Sequence, residues 1–511
     1  MKCGYNILLV FLMCDTLVAQ QNNKQWLFGY EYEPEAPFLL GINCLDFNDH
    51  EIRVYPYEYQ NGISWLSFSS SFVCDSSGRI ALITDNCTDY DRELSEIGGG
   101  EKIHDDEWSA GYCKDDSHAY FPTKTNIFFP DVKDSKVFYQ LYKNFFATTD
   151  EYVSSSLMLN TIVRDEAGRY TVRNHDTIDD RKYQHINLIE PTLNKNKDGW
   201  WLFNLKNKSN EYTAYLLKDG NLDIIRTASI GNPLNYLSSA VTSTVFSPDN
   251  KYMAQVVNGI GIQVFDFNDE TGLFSNAREI KARVDTFGYW AYGLCFSPNS
   301  RYLYLSTTGG APDTQYTGYL YQVDMEDERV EYLASFSQVD DTDWRVGIGS
   351  ISRGPDCRLY ISPGSTSHWM HVIHYPDEKG VACGFQPMAI DLPFRVGVVL
   401  PNFLQAGSGC DPTYDWPFVM ATRTPYEEIA ADISISPNPG RDIMFLNSKE
   451  IRPSGWTISI YDMNGRRVME VGGIDTYTTQ LDVSALGAAV YIYKVKDRSG
   501  KIRKVGRLIR I

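Results

Sequence analysis

Short alternating runs of apolar and polar residues, separated by tight-turn residues, dominate the chain between positions 241 and 324. The segment Phe246-Ser-Pro-Asp-Asn-Lys-Tyr252 recurs 50 positions later as Phe296-Ser-Pro-Asn-Ser-Arg-Tyr302. An apolar run precedes each copy and an alternating run follows it. Proline presets φ at the second turn position, and Asp or Asn can bond back to its own backbone. Each copy therefore predicts a β-hairpin.

Further strands complete a repeating unit around these hairpins. Residues 261–267 and 318–324 predict a third strand in each copy, and Leu273 begins a fourth in the first copy. A degenerate copy follows at residues 351–361. Short strands that recur every 40 to 50 residues or so are typical of the blades of a β-propeller. About 400 residues at this period predict about seven blades, and no segment has the period of a helix.

The last part of the chain has a different pattern. Pro437 and Pro439 flank an extended entry that cannot join a central ladder, and Asp462-Met-Asn-Gly465 is a strong hairpin turn. Short alternating strands between such turns predict a small Ig-like β-sandwich. The whole chain is therefore expected to be all-β. The predicted divisions are a signal peptide (1–19), a β-propeller domain (20–425), a linker (426–432) and the sandwich (433–511).

The N-terminus has the pattern of a secretory signal peptide. Lys2 precedes a short apolar run at residues 7–13, and cleavage is expected between Ala19 and Gln20. A lipoprotein signal at Cys14 is the alternative, but Met13 is larger than the small residue that such signals carry before the cysteine. No later run reaches the roughly 18 apolar residues of a membrane helix, so no transmembrane segment is predicted.

Eight cysteines remain after the predicted cleavage. An even number in an exported protein favours disulfides, although 105 pairings stay open. Cys74 and Cys87 flank one predicted hairpin and are the local pair that the sequence favours. No CxxC spacing is present, which argues against a zinc site.

The formal charge of −18 is unevenly distributed. Residues 433–511 carry thirteen Lys/Arg against seven Asp/Glu, so the preceding part carries −24. An acidic body argues against nucleic acid as a partner.

Several motifs of the body resemble a family of secreted propeller proteins from Bacteroidetes-type bacteria. They are Trp26-Leu-Phe-Gly29, Cys74-Asp-Ser-Ser-Gly-Arg79 and the spacing from Gly354-Pro-Asp-Cys-Arg-Leu-Tyr-Ile361 to Leu400-Pro-Asn-Phe403. The similarity covers most of residues 25–405. Members of that family mostly lack an assigned activity, so the resemblance implies an architecture more than a chemistry.

Residues 433–440, 458–468, 481–486 and 490–496 closely resemble the type IX secretion C-terminal sorting domain. The motif residues are Pro437, Asn438, Pro439, Tyr461, Gly465, Arg466 and Tyr491. One departure is Gly487-Ala-Ala-Val-Tyr491, where the family usually has Gly followed shortly by a small residue and Tyr.

This second resemblance implies a route of export. The protein would cross the periplasm, and an outer-membrane translocon would recognise the folded tail. A sortase-like peptidase would remove the tail, and the body would be released or linked to surface lipopolysaccharide. The expected location is extracellular or on the outer-membrane surface. The basic strand at residues 501–511 is interpreted either as a solvated edge strand or as a contact with the translocon.

Candidate catalytic chemistry is scarce in the sequence. There is no G-x-S-x-G nucleophile elbow, and no pair of carboxylates is nominated as acid and base. His368, His371 and His374 alternate faces along a predicted strand, so a structural role is expected. The acidic runs at 104–107 and 340–343 are expected to be solvated loops, with calcium as the alternative. No other cofactor is expected.

Two functions from different classes remain. The first is a binding or structural module with an unknown glycan or protein ligand. The second is an extracellular hydrolase or lyase, acting on glycans from one end of the propeller channel. Converging charged side chains in a funnel would favour the enzyme, and a channel filled by apolar and Tyr side chains would favour the binder.

Overall fold

The computed structural model describes residues 23–30, 40–48, 52–57, 65–66, 70–101, 103–104, 106, 113, 124–147, 152–185, 187–233, 241–257, 261–282, 289–309, 317–339, 345–405, 409–414, 419–420, 433–448, 453–461, 466–496, 498 and 502–510. The chain divides into two compact units, Met1–Met420 and Ala421–Ile511. The predicted signal peptide and linker lie outside the described residues, and the predicted domain boundaries stay predictions.

The first unit is built from small antiparallel sheets that follow one another along the chain. We number them blades 1 to 7. Blade 1 contains β1 (Gln25–Tyr30), β2 (Ile42–Asp46), β3 (Arg53–Pro56) and β4 (Trp65–Leu66), and blade 2 contains β5 (Ser71–Cys74), β6 (Ile80–Thr84) and β7 (Asp89–Asp91). Blade 3 contains β8 (Asn126–Pro130), β9 (Val137–Ala147), β10 (Tyr152–Arg164) and β11 (Tyr170–Asp179). Blade 4 contains β12 (Thr192–Leu193), β13 (Trp200–Leu205), β14 (Glu211–Lys218) and β15 (Asn221–Ser229).

Blades 5 to 7 follow the same order. Blade 5 contains β16 (Val241–Phe246), β17 (Tyr252–Val257), β18 (Gly261–Asn268) and β19 (Leu273–Ile280). Blade 6 contains β20 (Tyr289–Phe296), β21 (Tyr302–Gly309), β22 (Gly318–Asp324) and β23 (Arg329–Phe336). Blade 7 contains β26 (Ile351–Arg353), β27 (Leu359–Ile361), β28 (Ser367–Ile373) and β29 (Phe385–Val396). A small hairpin, β24 (Gln338–Val339) with β25 (Arg345–Val346), lies between blades 6 and 7, and a short 3₁₀ helix spans Gly380–Cys383.

The two predicted hairpins are confirmed, and each turn is closed by its own serine. Ser247 Oγ accepts a hydrogen bond from the backbone N of Tyr252 at 2.9 Å, and Ser297 Oγ accepts one from Tyr302 N at 2.9 Å. A hydroxyl that bonds back to the chain favours a turn over a continued strand. The sequence therefore fixes where β16 and β20 end.

Neighbouring blades pack through shared apolar cores, and the series closes on itself. Blades 1, 2 and 7 share one core, and every other neighbouring pair shares its own. Representative buried pairs are Trp26 with Phe72 (blades 1 and 2), Val73 with Phe128 (2 and 3), Leu141 with Leu202 (3 and 4), Phe203 with Phe265 (4 and 5), Val264 with Leu305 (5 and 6), Tyr304 with Ile373 (6 and 7) and Tyr360 with Trp26 (7 and 1).

Both ends of the body contribute to the closure. The Asn43 side chain of blade 1 donates to Phe394 O at 3.1 Å and accepts from Phe394 N at 2.9 Å, which joins it to blade 7. A late strand, β30 (Val419–Met420), pairs in parallel with β3 at the outer edge of blade 1. The described residues therefore form a closed seven-bladed β-propeller, as the period predicted.

The second unit has two sheets. Their strands are β31 (Ile433–Ser436), β32 (Ile443–Ser448), β33 (Trp456–Tyr461), β34 (Arg467–Ile474), β35 (Thr478–Asp482), β36 (Ala489–Lys496) and β37 (Ile502–Arg510). The sheet orders are β31-β32-β35 and β34-β33-β36-β37. Met444 and Leu481 of the first sheet and Ile458, Val495 and Leu508 of the second share one core. The predicted sandwich is confirmed.

Candidate functional site

The axis of the ring is the place where the propeller fold brings its blades together. The first strands of successive blades contact one another, β5 with β8, β16 with β20 and β20 with β26, so these strands line the axis. After β29 the chain runs along this axis through residues 398–405, which we call the axial segment.

The axial segment begins beside blade 7. Val398 O accepts a hydrogen bond from Ser350 N at 3.3 Å, and Leu400 N donates to Ser350 Oγ at 2.8 Å. Further along, Gln405 bonds to Arg353 in the same blade. The segment therefore runs in the same direction as β26.

The middle of the axial segment is held by two other blades. Asn402 N donates to Ser70 O at 2.7 Å, next to β5 of blade 2. The Asn402 side chain donates to Asn126 O of blade 3 at 2.9 Å. Pro401 supplies no backbone donor at the preceding position. These polar contacts fix the segment in register, and Asn402 forms an isolated parallel β-bridge with Ser71 of β5.

Apolar side chains fix the same segment by packing. Val399, Leu400, Phe403 and Leu404 are all buried. The Phe403 ring lies 4.8 Å from the ring of Phe72, measured between centroids, in a stacked arrangement. Burying four apolar side chains makes the axial segment part of the core.

The lower end of the axial segment meets charged side chains. Gln405 N donates to a carboxylate oxygen of Glu190, which precedes blade 4. The Arg353 guanidinium donates to Gln405 O at 2.7 Å, and Arg353 N donates to Gln405 Oε1 at 2.8 Å. Burial lowers the pKa of Arg353. The Glu190 carboxylate and the Arg353 guanidinium therefore both bond to the backbone of Gln405, the last residue of the axial segment.

A cavity of about 30 Å³ remains between the axial segment and blades 3 to 7. That volume holds one or two water molecules. Its described walls come from the axial segment, from the first strands and from the residues before them: Lys124, Leu188, Glu190, Thr244, Val245, Tyr292, Gly293, Leu294, Ser350, Ile351, Ser352, Val399, Leu400, Pro401, Asn402, Phe403 and Gln405.

The charged side chains of the described wall are one ammonium, Lys124, and one carboxylate, Glu190. Lys124 Nζ donates to Ser243 Oγ at 2.8 Å. Burial lowers the pKa of the Lys124 ammonium, and the negative charge of Glu190 partly opposes that effect. The described wall residues include no histidine and a single carboxylate. The paired carboxylates of glycoside hydrolysis are therefore absent from this described wall.

The predicted disulfide between Cys74 and Cys87 is wrong. Cys87 bonds to Cys113 (Cα–Cα 5.7 Å), and a second disulfide joins Cys357 to Cys410 (Cα–Cα 5.0 Å). Cys74 lies at the turn end of the β5–β6 hairpin, whereas Cys87 follows its open end. The three residues between these ends span about 10 Å, beyond the reach of a disulfide.

The three histidines each have their own protein partner. His368 Nδ1 lies 2.7 Å from Asp391 Oδ1, and His374 Nε2 lies 2.8 Å from Gln386 Oε1. His371 is fully buried; its Nδ1 accepts from Met388 N at 3.0 Å, so its Nε2 donates to Gly347 O at 2.6 Å. No group of three His, Cys, Asp or Glu suited to a metal occurs among the described residues.

The acidic runs fall largely outside the described residues. Residues 340–343 are not described, and of residues 104–107 only His104 and Asp106 are. His104 is buried, with Nδ1 3.2 Å from Asn144 Oδ1. The calcium alternative at these runs stays a prediction.

The motif residues of the sorting tail lie at several places in the sandwich. Pro437, Asn438 and Pro439 form the turn between β31 and β32, and both proline peptide bonds are cis. Asn438 Oδ1 accepts a hydrogen bond from Ile509 N of β37 at 2.8 Å. The turn is therefore joined to the last strand of the chain.

The remaining motif residues are separate from that turn. Tyr461 ends β33, and the Lys494 ammonium lies 5.3 Å above its ring. Tyr491 is buried, and its hydroxyl donates to Gly487 O at 2.9 Å. Arg466 is exposed next to β34. Gly465 lies outside the described residues, as do Ala19 and Gln20. The roles assigned to these residues stay predictions.

The axial cluster was missed by the sequence reasoning. Leu400-Pro-Asn-Phe403 stands out in the sequence, but only as part of a resemblance. Lys124, Glu190 and Arg353 are far apart along the chain and have no shared motif. Only the closed ring brings them together.

Comparison with protein families identifies the tail. Residues 434–509 match the model described as the secretion system C-terminal sorting domain. A type IX sorting tail indicates a secreted protein that is exported to the extracellular space or the cell surface. It also implies interaction with the type IX secretion machinery. No helix in the described part of the chain is long and apolar enough to cross a membrane.

A search of curated proteins finds no match. Among solved structures, a Lactobacillus plantarum protein is 11% identical, with 73% of this chain and 98% of that chain covered and a TM-score of 0.41. Kuenenia stuttgartiensis hydrazine synthase is 12% identical, with 69% and 94% covered and a TM-score of 0.37. The β-propeller domain of Myceliophteria thermophila Cps50 (Swd1) is 9% identical, with 67% and 93% covered and a TM-score of 0.35. These likenesses are distant, so the propeller assignment rests on the seven sheets themselves.

Proposed function

We propose that the body of this secreted protein is a binding or structural module and that its ligands bind to the outside of the ring. The observation that supports this proposal is the axial segment. Residues 398–405 occupy the axis where many propellers would offer a channel, and they leave a cavity of about 30 Å³. Clefts that bind drug-sized ligands measure about 300–1,000 Å³.

The chemistry of the axis supports the same proposal. Lys124 and Glu190 are the charged groups of the described cavity wall. Both lie beside buried core residues such as Leu400 and Phe403. A cavity of about 30 Å³ is too small to admit a sugar ring or a peptide.

The test is a binding screen of the purified full chain against glycan and peptide arrays, with an activity screen in parallel. The activity screen follows release of reducing ends for a hydrolase and of unsaturated products for a lyase. We expect saturable binding to at least one ligand class and no turnover of the bound ligand. Turnover of a bound glycan would support the alternative, a hydrolase or lyase that acts from the propeller face.

The route of export is a second part of the proposal. It consists of signal-directed entry into the periplasm, recognition of the tail by an outer-membrane translocon and removal of the tail by a sortase-like peptidase. Release into the medium and attachment to surface lipopolysaccharide are the two final states. The match of residues 434–509 to a sorting domain supports this route.

Deletion of residues 433–511 tests the route. We expect the truncated body to accumulate in the periplasm, as measured by cell fractionation and immunoblotting. The matched control is Phe445→Ala, which changes an exposed side chain of the tail and keeps its core. Undiminished export of the truncated body would contradict the proposal.

A further inference from the structure

One carboxyl group is fully buried where blades 2 and 3 meet. Asp89 of β7 has no exposed surface. Asp89 N donates to Gly100 O at 2.9 Å, and Ile97 N donates to Asp89 O at 3.0 Å. The side chain reaches blade 3, where the Gln140 amide of β9 donates to Asp89 Oδ1 at 2.7 Å. We call this bond the carboxyl contact, because it joins the two blades.

A row of amides across blade 3 fixes the direction of the carboxyl contact. Gln140 and Asn160 are directly opposite each other in β9 and β10, and the Asn160 amide donates to Gln140 Oε1 at 2.7 Å. Gln140 can therefore present only its N–H groups to Asp89. His175 Nδ1 lies 2.9 Å from Asn160 Oδ1 at the exposed end of the row. Two neutral amides thus separate His175 from the carboxyl group.

A second aspartate in the same hairpin has different surroundings. Cys87 N and Thr88 N each donate to Asp85 Oδ1 at 2.9 Å, and the Tyr90 hydroxyl donates to Asp85 Oδ2 at 3.1 Å. These donors favour a charged carboxylate at Asp85. By contrast, Asp89 Oδ2 is buried and has no hydrogen-bond partner among the described residues. Of two neighbouring carboxyl groups, the one with fewer donors keeps its proton to higher pH.

The described elements packed against Asp89 bring it no positive charge. The charged neighbour in its own hairpin is Asp85, whose negative charge disfavours a second carboxylate. Residues 97–100 are Ile-Gly-Gly-Gly, and the facing row of blade 3 consists of amides. Arg92, three residues along the chain, is paired with Asp75 at 2.8 Å. A charge on Asp89 would therefore be buried without compensation.

The proton affinity of Asp89 agrees with these surroundings. Burial raises the pKa of its carboxyl group from 3.8 to about 8, while the Thr84 hydroxyl and Gln140 partly oppose this effect. The carboxyl group is therefore uncharged at neutral pH. From its burial, its position between two blades and its negative neighbour, we propose that the carboxyl contact is a pH-sensitive joint, which is stable while Asp89 is protonated and loosens at alkaline pH.

The carboxyl contact lies close to an anchor of the axial segment. Across the same interface, the Asn126 side chain of blade 3 donates to Asn86 Oδ1 of blade 2 at 3.3 Å. Asn126 O also accepts the hydrogen bond from Asn402 of the axial segment. A carboxylate formed at Asp89 requires hydration, so water has to enter between the blades. Loss of the proton therefore affects the interface that holds the axial segment.

The Asp89→Asn variant tests the proposal, because an amide has the shape of a protonated carboxyl group and does not titrate. The midpoint of thermal unfolding of the body is measured in the full chain from pH 5 to pH 9. The folded state holds the Asp89 proton more tightly than the unfolded state, so stability falls as the pH rises. We expect the wild-type midpoint to fall by about 5 °C relative to the variant. Above about pH 8 the two curves should run parallel.

The matched control is Asp91→Asn. Asp91 lies on the same strand, is only half-buried and accepts hydrogen bonds from Glu93 N and Ser95 N at 3.0 Å. This variant should follow the wild type. Parallel curves for the wild type and Asp89→Asn over the whole range would overturn the proposal. An equal change in Asp91→Asn would place the titrating group elsewhere and would overturn it as well.

A second measurement covers the case in which Asp89→Asn does not fold. Infrared spectra of the wild-type full chain are recorded at pH 6 and at pH 9, and the C=O stretch of a protonated carboxylic acid is followed. A band that is present at pH 6 and lost at pH 9 supports the proposal. Absence of the band at pH 6 would mean that Asp89 is already ionised, which refutes it.

Discussion

The buried ring of His371 should make the folded protein less stable at acidic pH. Its ring is fully buried in blade 7, 5.2 Å from the ring of Phe336, measured between centroids. Met388 N donates to its Nδ1, and this bond requires a ring without a proton at that atom. Burial lowers the pKa of His371 from 6.5 to about 4. The folded state therefore binds this proton at lower pH than the unfolded state does.

The sign and size of the effect follow from that difference in pKa. Between pH 6.5 and pH 4 the unfolded state takes up a proton that the folded state refuses, so stability falls as the pH falls. The contribution of His371 is complete above pH 6.5. The loss from pH 7.5 to pH 4 amounts to about 3 kcal/mol, at 1.36 kcal/mol for each pKa unit.

The assay compares urea unfolding of the wild type and of His371→Gln at several pH values from 7.5 to 4. A glutamine amide has a donor and an acceptor but does not titrate, so the variant removes the proton uptake alone. We expect the wild type to lose about 3 kcal/mol more than the variant over this range. His175→Gln, at an exposed position, is the matched control and should follow the wild type closely. Parallel curves for wild type and His371→Gln would refute the reasoning.

Three further predictions concern the axial segment, a disulfide and the tail. Phe403→Ala removes a buried ring from the axis and should lower the free energy of unfolding by about 3–5 kcal/mol in urea titrations. The control, Phe445→Ala, changes an exposed side chain and should alter the free energy of unfolding by less than about 0.5 kcal/mol. Equal effects of the two variants would contradict the packing described for the axis. Replacing both Cys357 and Cys410 by Ser opens a loop of 53 residues and should cost about 4 kcal/mol, and an unfolding curve unchanged by the replacement would show that the bond adds nothing. Leu481→Asp places a charge in the core of the sandwich and should abolish export in fractionation assays while ligand binding by the body persists; normal export of this variant would mean that the folded tail is not what is recognised.

The local parts of the fold could be predicted from the sequence because local chemistry determines them. The Ser-Pro-Asp and Ser-Pro-Asn turns after Phe246 and Phe296 contain the hydroxyl that closes each hairpin. The number of blades followed from the spacing of such hairpins. The sandwich followed from its alternating strands and from the Asn-Gly turn that ends at Gly465.

The long-range parts could not be predicted in the same way. Cys87 bonds to Cys113 rather than to the nearer Cys74, because the hairpin holds Cys74 at the opposite end from Cys87. The axial segment was missed because its apolar run, Val398 to Leu400, fits an ordinary strand equally well. The cavity wall joins residues from blades that are distant in sequence, and no periodicity relates them.

The pairing of β30 with β3 links the completion of blade 1 to the order in which the chain is synthesised. Until Met420 has been synthesised, β3 lacks its outermost partner, and the outer edge of blade 1 stays unpaired. Residue 434, where the sorting match begins, comes soon afterwards. A chain that contains the complete sorting tail therefore also contains the strand that completes the edge of blade 1. Selecting chains by their tail thus selects chains whose propeller sequence is complete.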